Sequence, residues 1–524
     1  MPSRILIANR GEIAVRIAKT LIENSYIPVG VYTHDDADSY HRKFLAEDVE
    51  ISSYMDIKEI LNAAVDLGAE AIHPGYGFLS ESAEFAREVT KSGFKFVGPS
   101  PDIIALTSDK IALKTYAERF EVPVLPWIKV DAPQDILDFG KIHGYPLIVK
   151  AARGGGGRGI RLIRGQEEVE SAFELARREA EGCFKDSRLF VEPYVEHAKH
   201  IEVQVLGDGD NIVHLYERDC SLQRRYQKVV EEAPSPSITG STRNKLCEYA
   251  LRLSSGLKYN NAGTVEFIFD IKSGGFYLTE INSRLQVEHP VTEMITGIDI
   301  VKKQVEVALH SSLDLKQRDV LIRGHCIEAR IYAENPYNQE PSHGRINKYK
   351  EPHGLGIRVD SGIMEGSRIS DRYDPLIAKV IAWGTDRNVA LYRLERALNE
   401  FIIHGNNIVT NIPLLKHILR SPQFTSAVHT TKFLEEAVPI LYSRAIEESK
   451  VHATILASLI ETNDKGSKTY ISKEGLIKQV LRGENVSSLK RRAWYYYVAI
   501  RSGFGHYRMK QGKVAKGRSK RWTL

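Results

Sequence analysis

Cysteine is scarce in this chain of 524 residues, which holds only four. They are Cys183, Cys220, Cys247 and Cys326, far apart and without a Cys-x-x-Cys pair, so neither a disulfide framework nor a zinc knuckle is predicted. Long apolar runs are also missing, and no stretch approaches the roughly 20 residues that a membrane span needs. With 42% hydrophobic and 27% charged residues, the composition is that of a soluble globular protein, and we expect no membrane partner.

The sequence also lacks room for a leader peptide. Residues 1–7, MPSRILI, enter a predicted core strand at once, without a charged region, an apolar segment and a cleavage site. We therefore expect a cytoplasmic protein. The chain is too long for one hydrophobic core, since cores stop growing near ~250 to 300 residues, and three or four packed units are expected.

Acidic residues are absent from the end of the chain. Residues 485–524 hold eleven Lys or Arg and no Asp or Glu, so the net charge of +5 becomes −6 for the residues before them. Basicity is thus a property of the tail, and the mildly acidic remainder does not indicate a nucleic-acid partner.

Strands and helices alternate at the start of the chain. Residues 5–8 and 29–32 are apolar runs typical of strands, Ile13, Ile17 and Leu21 have helical spacing, and a predicted helix over 57–67 leads into a strand at 71–72. This order predicts a parallel sheet with right-handed crossovers. The first turn, ANRGEI, has no Gly-x-Gly-x-x-Gly, which argues against a dinucleotide-dependent oxidoreductase. Residues 1–110 are thus predicted to form an α/β domain of Rossmann-like topology.

Later segments have a different pattern. Short strands surround a glycine run between 123 and 205, with a helix predicted over 167–181. Antiparallel strands and helices, including 245–256 and 299–310, follow to about residue 310, and a β-rich unit with terminal helices covers about 322–440. No fixed-period repeat is present. The overall fold class is therefore a multidomain mixture of α/β and α+β units.

The glycine run lies in residues 147–160, LIVKAARGGGGRGI. A strand delivers Lys150, a segment with minimal side chains follows, and a second strand begins. Such a loop can lay backbone N–H groups over phosphates and move as a lid, although a simple flexible hairpin tip is the alternative. A P-loop is excluded, because no Gly-Lys-Ser/Thr leads into a helix.

A candidate hairpin runs through residues 263–282 around a Ser-Gly-Gly turn. If it is symmetric about Ser273, Glu266 faces Glu280, and like charges directly opposite each other destabilise a sheet. A cation between the carboxylates would remove that cost, and Asn282 points to the same side. Two carboxylates and an amide oxygen suit Mg²⁺, whereas a solvated sheet face is the alternative.

The residues that follow, RLQVEHP at 284–290, alternate polar and apolar side chains. In an extended segment Arg284, Gln286 and Glu288 share one face. Beside a metal and a nucleotide, that row offers a cation for an anionic substrate, an orienting amide and a carboxylate able to take a proton. An exposed edge strand is the alternative.

Taken together these features resemble the biotin carboxylases of the ATP-grasp superfamily, over about residues 3 to 440. The resemblance is carried by four segments in the family's order and spacing: IANRGEIA at 7–14, HPGYGFLSE at 73–81, QKVVEE at 227–232 and QVEHPVTEM at 286–294. It implies a Rossmann-like N-terminal domain at 1–110 and an ATP-grasp domain at 111–320 with a mobile lid at about 125–205. A β-rich biotin carboxylase C-terminal domain at 321–445 and a basic extension at 446–524 would complete the chain.

The resemblance also implies the site residues. ATP would be bound by Lys110, Lys150, Gly156, Gly157, Glu192, Pro193, Tyr194, Val195, His200, Gln223, Tyr226, Glu266 and Glu280. The metal, Mg²⁺ or Mn²⁺, would lie on Glu266, Glu280 and Asn282. Bicarbonate would be held by Lys228, Arg284, Gln286 and Val287.

In the implied reaction Glu288 is the general base that deprotonates bicarbonate. Attack on the γ-phosphate gives carboxyphosphate, which breaks down to CO₂ and phosphate, and Arg330 stabilises the enolate of biotin while N1 captures CO₂. Lys228, Arg284, Glu288 and Arg330 are the implied catalytic residues. The chain departs from the family pattern at Tyr226, often His, at Pro193, often Lys, and at Arg153, which interrupts the glycine run; each bears on ATP affinity rather than on the chemistry.

Biotin is expected in trans. The family's carrier domain presents its lysine in a Met-Lys-Met turn, and the nearest match here is Arg508-Met509-Lys510-Gln511 in the basic tail. The resemblance therefore implies a biotin carboxylase subunit of an acetyl-CoA or propionyl-CoA carboxylase, partnered by a biotin carboxyl carrier protein and a carboxyltransferase subunit, and a homodimer within that complex. We expect the tail to bind an acidic partner subunit rather than nucleic acid.

Four other functions compete with this one. A two-subunit pyruvate carboxylase would use the same kind of subunit, because the acceptor is chosen by another chain. A carbamoyl-phosphate-forming enzyme would show an internal duplication, which is absent, and a purine-pathway ATP-grasp ligase is the related possibility. A catalytically silent scaffold subunit would have lost Lys228, Arg284, Glu288 or Arg330, and all four are present.

Overall fold

The computed structural model describes residues 2–154, 158–224, 227–336, 338–440 and 443. Predicted site residues Gly156, Gly157 and Tyr226 and the basic extension at 446–524 lie outside the described residues. The chain divides into two compact units, Met1–Val438 and Pro439–Leu524. All elements named below belong to the first.

The N-terminal sheet is parallel and has five strands in the order β3-β2-β1-β4-β5. This is the order of a doubly wound sheet, as the alternating pattern predicts. Its strands are β1 (Arg4–Ile7), β2 (Ile27–Tyr32), β3 (Glu47–Glu50), β4 (Ala71–His73) and β5 (Lys95–Phe96), with helices α1 (Gly11–Glu23), α2 (Ile57–Asp66) and α3 (Ala83–Lys91). Ile13, Ile17 and Leu21 of α1 are buried, which confirms the helical spacing.

A second sheet has four antiparallel strands in the order β6-β9-β7-β8. Helices α4 (Pro101–Thr107) and α5 (Lys110–Arg119) lead to it. The unit comprises β6 (Ile128–Val130), α6 (Pro133–His143), β7 (Leu147–Ala151), β8 (Ile160–Ile163), α7 (Val169–Phe184) and β9 (Leu189–Pro193). The helix predicted at 167–181 is thus α7, and the turn Gln166–Glu168 before it is 3₁₀.

The third sheet has eight strands in the order β14-β13-β10-β11-β12-β15-β19-β17. Its first five strands are β10 (Ala198–Asp208), β11 (Ile212–Arg224), β12 (Gln227–Ala233), β13 (Asn260–Asp270) and β14 (Phe276–Asn282). The other three are β15 (His325–Tyr332), β17 (Ile357–Ser361) and β19 (Leu376–Gly384). Because β12 pairs with β15, the sheet continues across the position where a domain boundary near residue 320 is predicted.

Helices α8 (Gly240–Gly256), α9 (His289–Thr296) and α10 (Ile300–His310) accompany this sheet. The sequence places the start of α8 five residues too late, because the Thr239 side chain accepts a hydrogen bond from the Thr242 N–H and caps the helix there. Likewise Asp299 is the N-cap of α10 rather than its first residue.

A three-stranded sheet in the order β18-β16-β20 and further helices complete the described chain. These elements are β16 (Gly344–Lys350), β18 (Arg368–Ile369), β20 (Ile402–Asn406), α11 (Arg387–Glu400), α12 (Ile412–Arg420) and α13 (Pro422–Thr425), and residues 433–438 are also helical. Short 3₁₀ turns lie at His34–Asp36, Tyr40–Phe44 and Gln317–Asp319. Among the described residues, none of the helices has the length and apolar character of a membrane span.

Candidate active site on one face of the eight-stranded sheet

A row of ionisable side chains crosses one face of the eight-stranded sheet. The strand registers set these residues opposite one another in pairs: Glu280 and Glu266, Glu266 and Glu202, Glu202 and Arg218, Glu231 and Glu328, Arg330 and Lys379, Lys379 and Asp360. Since side chains at paired positions lie on the same face, the row extends from β14 to β17. We call it the sheet-face row.

The predicted pair of Glu266 and Glu280 is present, but the hairpin is not symmetric about Ser273. Near the turn the register is Phe269 with Phe276, one residue out of step with the Glu266–Glu280 pair. A bulge at Thr279 restores the register, and its hydroxyl donates to the Glu266 carbonyl at 3.0 Å. The prediction of facing carboxylates is confirmed, whereas the loop geometry from which it was drawn is wrong.

Lysine side chains contact both of these carboxylates. The Lys110 ammonium contacts Glu280, and the Lys228 ammonium lies 2.8 Å from Glu266. The Asn282 amide donates to Glu266 at 2.7 Å, so it shares their face as predicted.

Lys228 of β12 lies among the carboxylates on this face of the sheet. Its Nζ lies 2.5 Å from Glu202, 2.8 Å from Glu266 and 2.6 Å from Glu288. Burial alone would lower the pKa of this lysine, but the three carboxylates outweigh burial and raise it well above its usual range. Lys228 therefore remains a cation at any working pH.

His200 and Glu202 extend this charge network along β10. The His200 Nε2 lies 3.0 Å from Glu266 and 3.6 Å from Glu202. Burial lowers the pKa of His200, yet Glu266 and Glu202 raise it to about 9, so the imidazole is protonated at neutral pH. Burial raises the pKa of Glu202, but attraction to the cations Lys228 and Arg218 outweighs burial and lowers it.

The segment at 284–288 is a loop leading into a turn rather than a strand, and Glu288 is the N-cap of α9. Its polar side chains nevertheless point into the site, as the alternation predicts. The Gln286 amide donates to Glu266 at 2.7 Å, and the Arg284 guanidinium lies 3.1 Å from Glu81 and donates to Asn282 at 3.0 Å. Leu285, between them, is buried in the core.

Glu288 is held between two cations. One carboxylate oxygen lies 2.6 Å from Lys228, and the other accepts from Arg330 Nη2 at 2.8 Å. Burial raises the pKa of Glu288, but Lys228, Arg330 and Arg218 together lower it below its ordinary value. The carboxylate is therefore ionised at neutral pH, which is the form a base requires.

A second group of charges lies on the four-stranded sheet. The Glu192 carboxylate is 2.6 Å from Lys150 and 2.7 Å from Lys114, and their attraction overcomes burial and lowers its pKa to about 2. Burial, helped by Lys150, lowers the pKa of Lys110 to about 8. The Lys110 N–H also donates to the Ala152 carbonyl at 2.8 Å, so the start of α5 is fixed to the strand that enters the glycine run.

The remaining predicted residues lie outside the two groups of charged side chains. Pro193 ends β9 opposite Leu147, and Tyr194 follows it with its N–H donating to the Pro146 carbonyl, while Val195 is half-buried. The buried Gln223 donates to the Cys220 carbonyl at 3.0 Å. The Val287 carbonyl accepts from Lys379 at 2.8 Å.

The two N-terminal segments of the resemblance meet in space. The Asn9 amide donates to the carbonyls of Pro74 and Tyr76 at 2.7 and 2.8 Å. Gly75 has a φ of 64°, and a Cβ there would lie 2.9 Å from the Asn9 amide nitrogen, so only glycine fits this turn. Tyr76 in turn contacts Glu12, which lies 3.2 Å from Lys379 in the sheet-face row.

Sequence reasoning missed several residues of the site, chiefly Lys114, Glu202 and Arg218. The sequence pattern could have indicated Glu202, because polar residues at 200, 202 and 204 alternate with apolar ones and therefore share a face. No pattern indicated Arg218, which lies in a short run of charged residues. It is fully buried and donates to Glu202, Gln204, Thr292, Thr264 and Gln286.

We expect Arg218→Met to destabilise the protein by about 3–5 kcal/mol, because a buried ion pair is broken and buried acceptors lose their donor. Glu202, 2.5 Å from Arg218, would keep only its contacts with Lys228 and His200, and the side-chain oxygens of Gln204 and Gln286 would lose a hydrogen bond. Denaturant unfolding would measure the loss, with Arg178→Ala as the control, since Arg178 is exposed and lies 3.8 Å from Glu174. Equal stability of the two variants would show that the Arg218 network is not a structural centre.

Comparisons with known proteins show the family of the chain. Family models match at residues 1–104 for the biotin carboxylase N-terminal domain and at 328–436 for its C-terminal domain. Residues 109–316 match the ATP-binding domain of the carbamoyl-phosphate synthase L chain.

Individual relatives match over most of the chain. The biotin carboxylase of Haemophilus influenzae is 42% identical over 83% of this chain and 99% of its own length. One subunit of the pyruvate carboxylase of Methanothermobacter thermautotrophicus is 42% identical over 85% of this chain and 91% of its own length.

A solved structure shares the fold. The biotin carboxylase domain dimer of the Hydrogenobacter thermophilus 2-oxoglutarate carboxylase, crystallised with MgADP, ADP and bicarbonate, has a TM-score of 0.81 and 41% identity, covering 84% of this chain and 99% of that one. The chain belongs to the biotin carboxylase family, enzymes that use ATP to carboxylate biotin, and it carries the family's ATP-grasp domain.

Proposed function

We propose that the cluster of Lys228, Glu266, Glu288 and Arg330, on the face of the sheet that carries the sheet-face row, is the active site at which this chain carboxylates biotin, presented by a separate carrier protein, with ATP and bicarbonate. The observation that supports this most directly is Glu288, an ionised carboxylate fixed between Lys228 and Arg330. Glu288 can act as a base, Lys228 can bind a small anion, and Arg330 can stabilise a developing negative charge. The three side chains are in contact, so these roles can be combined in one reaction.

In this proposal bicarbonate binds against Lys228 and Arg284, with the Gln286 amide and the Val287 backbone orienting it. Glu288 takes its proton, and the freed oxygen attacks the γ-phosphorus of ATP with ADP as the leaving group. The carboxyphosphate formed releases CO₂ and phosphate. The released phosphate takes the N1 proton of biotin, Arg330 stabilises the negative charge that develops on the biotin oxygen, and N1 captures CO₂.

ATP would lie between the two groups of charges. Lys110 and Lys150 would contact the ATP phosphates, with His200 close by. The adenine would lie beside Glu192 to Val195. Gln223, Gly156, Gly157 and Tyr226 complete the proposed set. Desolvation already lowers the pKa of Lys110 to about 8, and an approaching phosphate would favour its charged form.

The facing carboxylates of Glu266 and Glu280 fit a hard divalent cation, because carboxylate oxygens are the ligands that Mg²⁺ or Mn²⁺ takes. The Asn282 oxygen, which accepts from Arg284 at 3.0 Å, is the third proposed ligand. When bound, the ion would neutralise phosphate charge in the transition state.

Glu280→Gln should raise the Mg²⁺ concentration needed for half-maximal ATP cleavage by roughly 10- to 100-fold, since one carboxylate ligand is lost. Asp270→Asn is the matched control, because Asp270 ends β13 on the same hairpin and contacts the turn residue Ser273 instead. Identical Mg²⁺ titrations of the two variants would remove Glu280 from the metal site.

We also propose the domain division 1–110, 111–320 with a lid at about 125–205, 321–445 and 446–524.

The carrier and a carboxyltransferase are proposed partners, with a homodimer inside the complex. An acetyl-CoA or propionyl-CoA carboxylase is the assembly we favour. The similarity to one chain of a pyruvate carboxylase supports a two-subunit pyruvate carboxylase as the alternative. A cytoplasmic location stays a prediction.

The basic tail is proposed to bind an acidic partner subunit. Deleting residues 450–524 should abolish assembly with the carrier and transferase while sparing carboxylation of free biotin by the isolated chain. Gel filtration of the reconstituted complex would measure assembly. Normal assembly of the truncated chain, or a loss of nucleic-acid binding in its place, would contradict this role.

Phosphate release from ATP by the purified chain tests the function itself. We expect cleavage to require Mg²⁺ and bicarbonate and to be accelerated by free biotin or biotinylated carrier. A catalytically silent scaffold would bind the same partners with no cleavage under any of these conditions.

A further inference from the structure

The proposed mechanism leaves two buried carboxyl groups of the sheet-face row unused. Glu231 of β12 and Glu328 of β15 are directly opposite in the strand register, and both are 0% exposed. Opposed residues of antiparallel strands have Cβ atoms about 4.5–5.5 Å apart. Two ionised carboxylates at that separation without water would repel strongly.

Their partners differ. Neither carboxyl group has a hydrogen bond within the described part of the chain, but Glu231 forms an ion pair with Arg330, whose Nε lies 2.6 Å away. Among the described residues, Glu231 therefore has a counter-ion in contact and Glu328 has none. A buried carboxylate with no counter-ion takes up a proton rather than remaining charged.

Charges on every neighbouring element contribute to this balance. Glu288, on the segment before α9, adds repulsion, and Lys228 of β12, Arg330 of β15 and Lys379 of β19 add attraction. Lys379 itself donates to the Val287 carbonyl and lies 3.2 Å from Glu12. Burial outweighs these cations, raising the pKa of Glu231 to about 7 and that of Glu328 well above its usual range.

We propose that Glu231 and Glu328 carry one proton between them, held on Glu328, and that the Glu231 anion left by this arrangement is the positioning residue for Arg330. The guanidinium contacts Glu231 through Nε, as an ion pair, and donates a hydrogen bond to Glu288 from Nη2 at 2.8 Å. These two contacts from different nitrogens fix the orientation of the planar group relative to Glu288. The importance of that orientation rests on the proposed function of Arg330, whereas the shared proton does not.

Infrared difference spectra between the unsubstituted chain and Glu328→Gln test the proton directly. At a pH well above 7, where Glu231 is ionised, we expect the unsubstituted chain to show the carbonyl stretch of a protonated carboxylic acid that Glu328→Gln lacks. If the two spectra show no such difference, the pair does not hold a proton on Glu328. This measurement remains valid even if the chain fails to carboxylate biotin.

Stability gives a second readout. A pKa raised by folding means that, between the ordinary value of a glutamate and the folded value, the folded state holds a proton that the unfolded state has lost. The contribution of the pair to stability is therefore complete below the ordinary glutamate pKa of 4.5 and declines as pH rises from there towards the raised folded pKa values. Because Glu328→Gln removes the group that holds the proton, the unfolding free energy of the unsubstituted chain minus that of Glu328→Gln should decline as pH rises above 4.5. A constant difference would contradict the proposal.

Activity separates the two members of the pair. Because glutamine resembles the neutral acid, Glu328→Gln should carboxylate biotin like the unsubstituted chain at neutral pH, with its alkaline limb displaced upward by about one pH unit or more. Glu231→Gln should lower biotin-dependent kcat/KM by roughly 10- to 100-fold, because the buried ion pair that orients Arg330 is lost. Its KM for ATP should not change.

Glu232→Gln is the matched control for the loss of a buried carboxylate on β12. Glu232 pairs with His325 at 2.8 Å and Arg387 at 2.7 Å, apart from the sheet-face row. This variant should lose stability but keep the pH profile of carboxylation. If Glu328→Gln loses as much activity as Glu231→Gln, or has the alkaline limb of the unsubstituted chain, the proposal is overturned.

Discussion

Glu288→Gln should reduce bicarbonate-dependent ATP cleavage by about 10²- to 10⁴-fold, the range over which a positioned general base contributes. Glutamine keeps the length of the side chain and can still contact Arg330 or Lys228 through its carbonyl oxygen. It cannot take a proton from bicarbonate. The loss should therefore lie in kcat, with the KM for ATP little changed.

The control for this variant is Glu217→Gln, which also removes a buried, ion-paired carboxylate. Glu217 lies on β11 and is 2.6 Å from Arg243, outside the cluster around Lys228. Both variants should show cooperative unfolding. A Glu288→Gln enzyme that cleaves ATP at a near-normal rate with bicarbonate would remove Glu288 from the role of base.

Arg330→Lys should lower biotin carboxylation by about 10²- to 10³-fold, the cost of losing one preorganised donor at a developing negative charge. Arg330 contacts Glu231 and Glu288 through two different nitrogens. Lysine offers a single ammonium on a flexible stem and cannot hold both contacts in one plane. It preserves the positive charge, so the buried carboxylates are not left without a cation.

Two assays on the Arg330→Lys variant separate the steps. ATP cleavage without biotin should be affected far less than carboxylation of free biotin, because Arg330 acts on biotin and Glu288 on bicarbonate. Arg372→Lys is a suitable control, since Arg372 is exposed and lies 3.2 Å from Asp35. Equal losses in both assays would instead assign Arg330 to the bicarbonate step.

Much of the fold follows from local pattern. The alternation of apolar runs with helical spacing specified the doubly wound N-terminal sheet, because each element there buries an unambiguous face. The facing pair Glu266 and Glu280 was also predictable, although the bulge at Thr279 was not. At this bulge the Thr279 hydroxyl donates to the Glu266 carbonyl. A single extra residue in one strand does not show in the alternation of polar and apolar residues.

Contacts between distant segments were beyond sequence reasoning. Lys228 touches Glu202 and Glu288 because three strands and the start of α9 converge, and nothing in the local pattern reports that convergence. The sheet continues from β12 to β15 across a predicted domain boundary for the same reason. Roles of individual residues came from the family resemblance and stay proposals.

Local pattern also misjudged the segment at 284–288. Its alternation is that of a strand, yet Pro290 stands at the start of α9 and Glu288 caps that helix, so the chain turns. The outcome for the site is the same, since alternate side chains of an extended loop also share a face.

The transfer of labelled carbon from bicarbonate to biotin tests the central claim most directly. With ATP and Mg²⁺, the purified chain should form carboxylated biotin with one phosphate released for each carbon transferred, and Glu288→Gln should form almost none. Phosphate release indifferent to both bicarbonate and biotin, by a folded chain that binds ATP, would contradict the account.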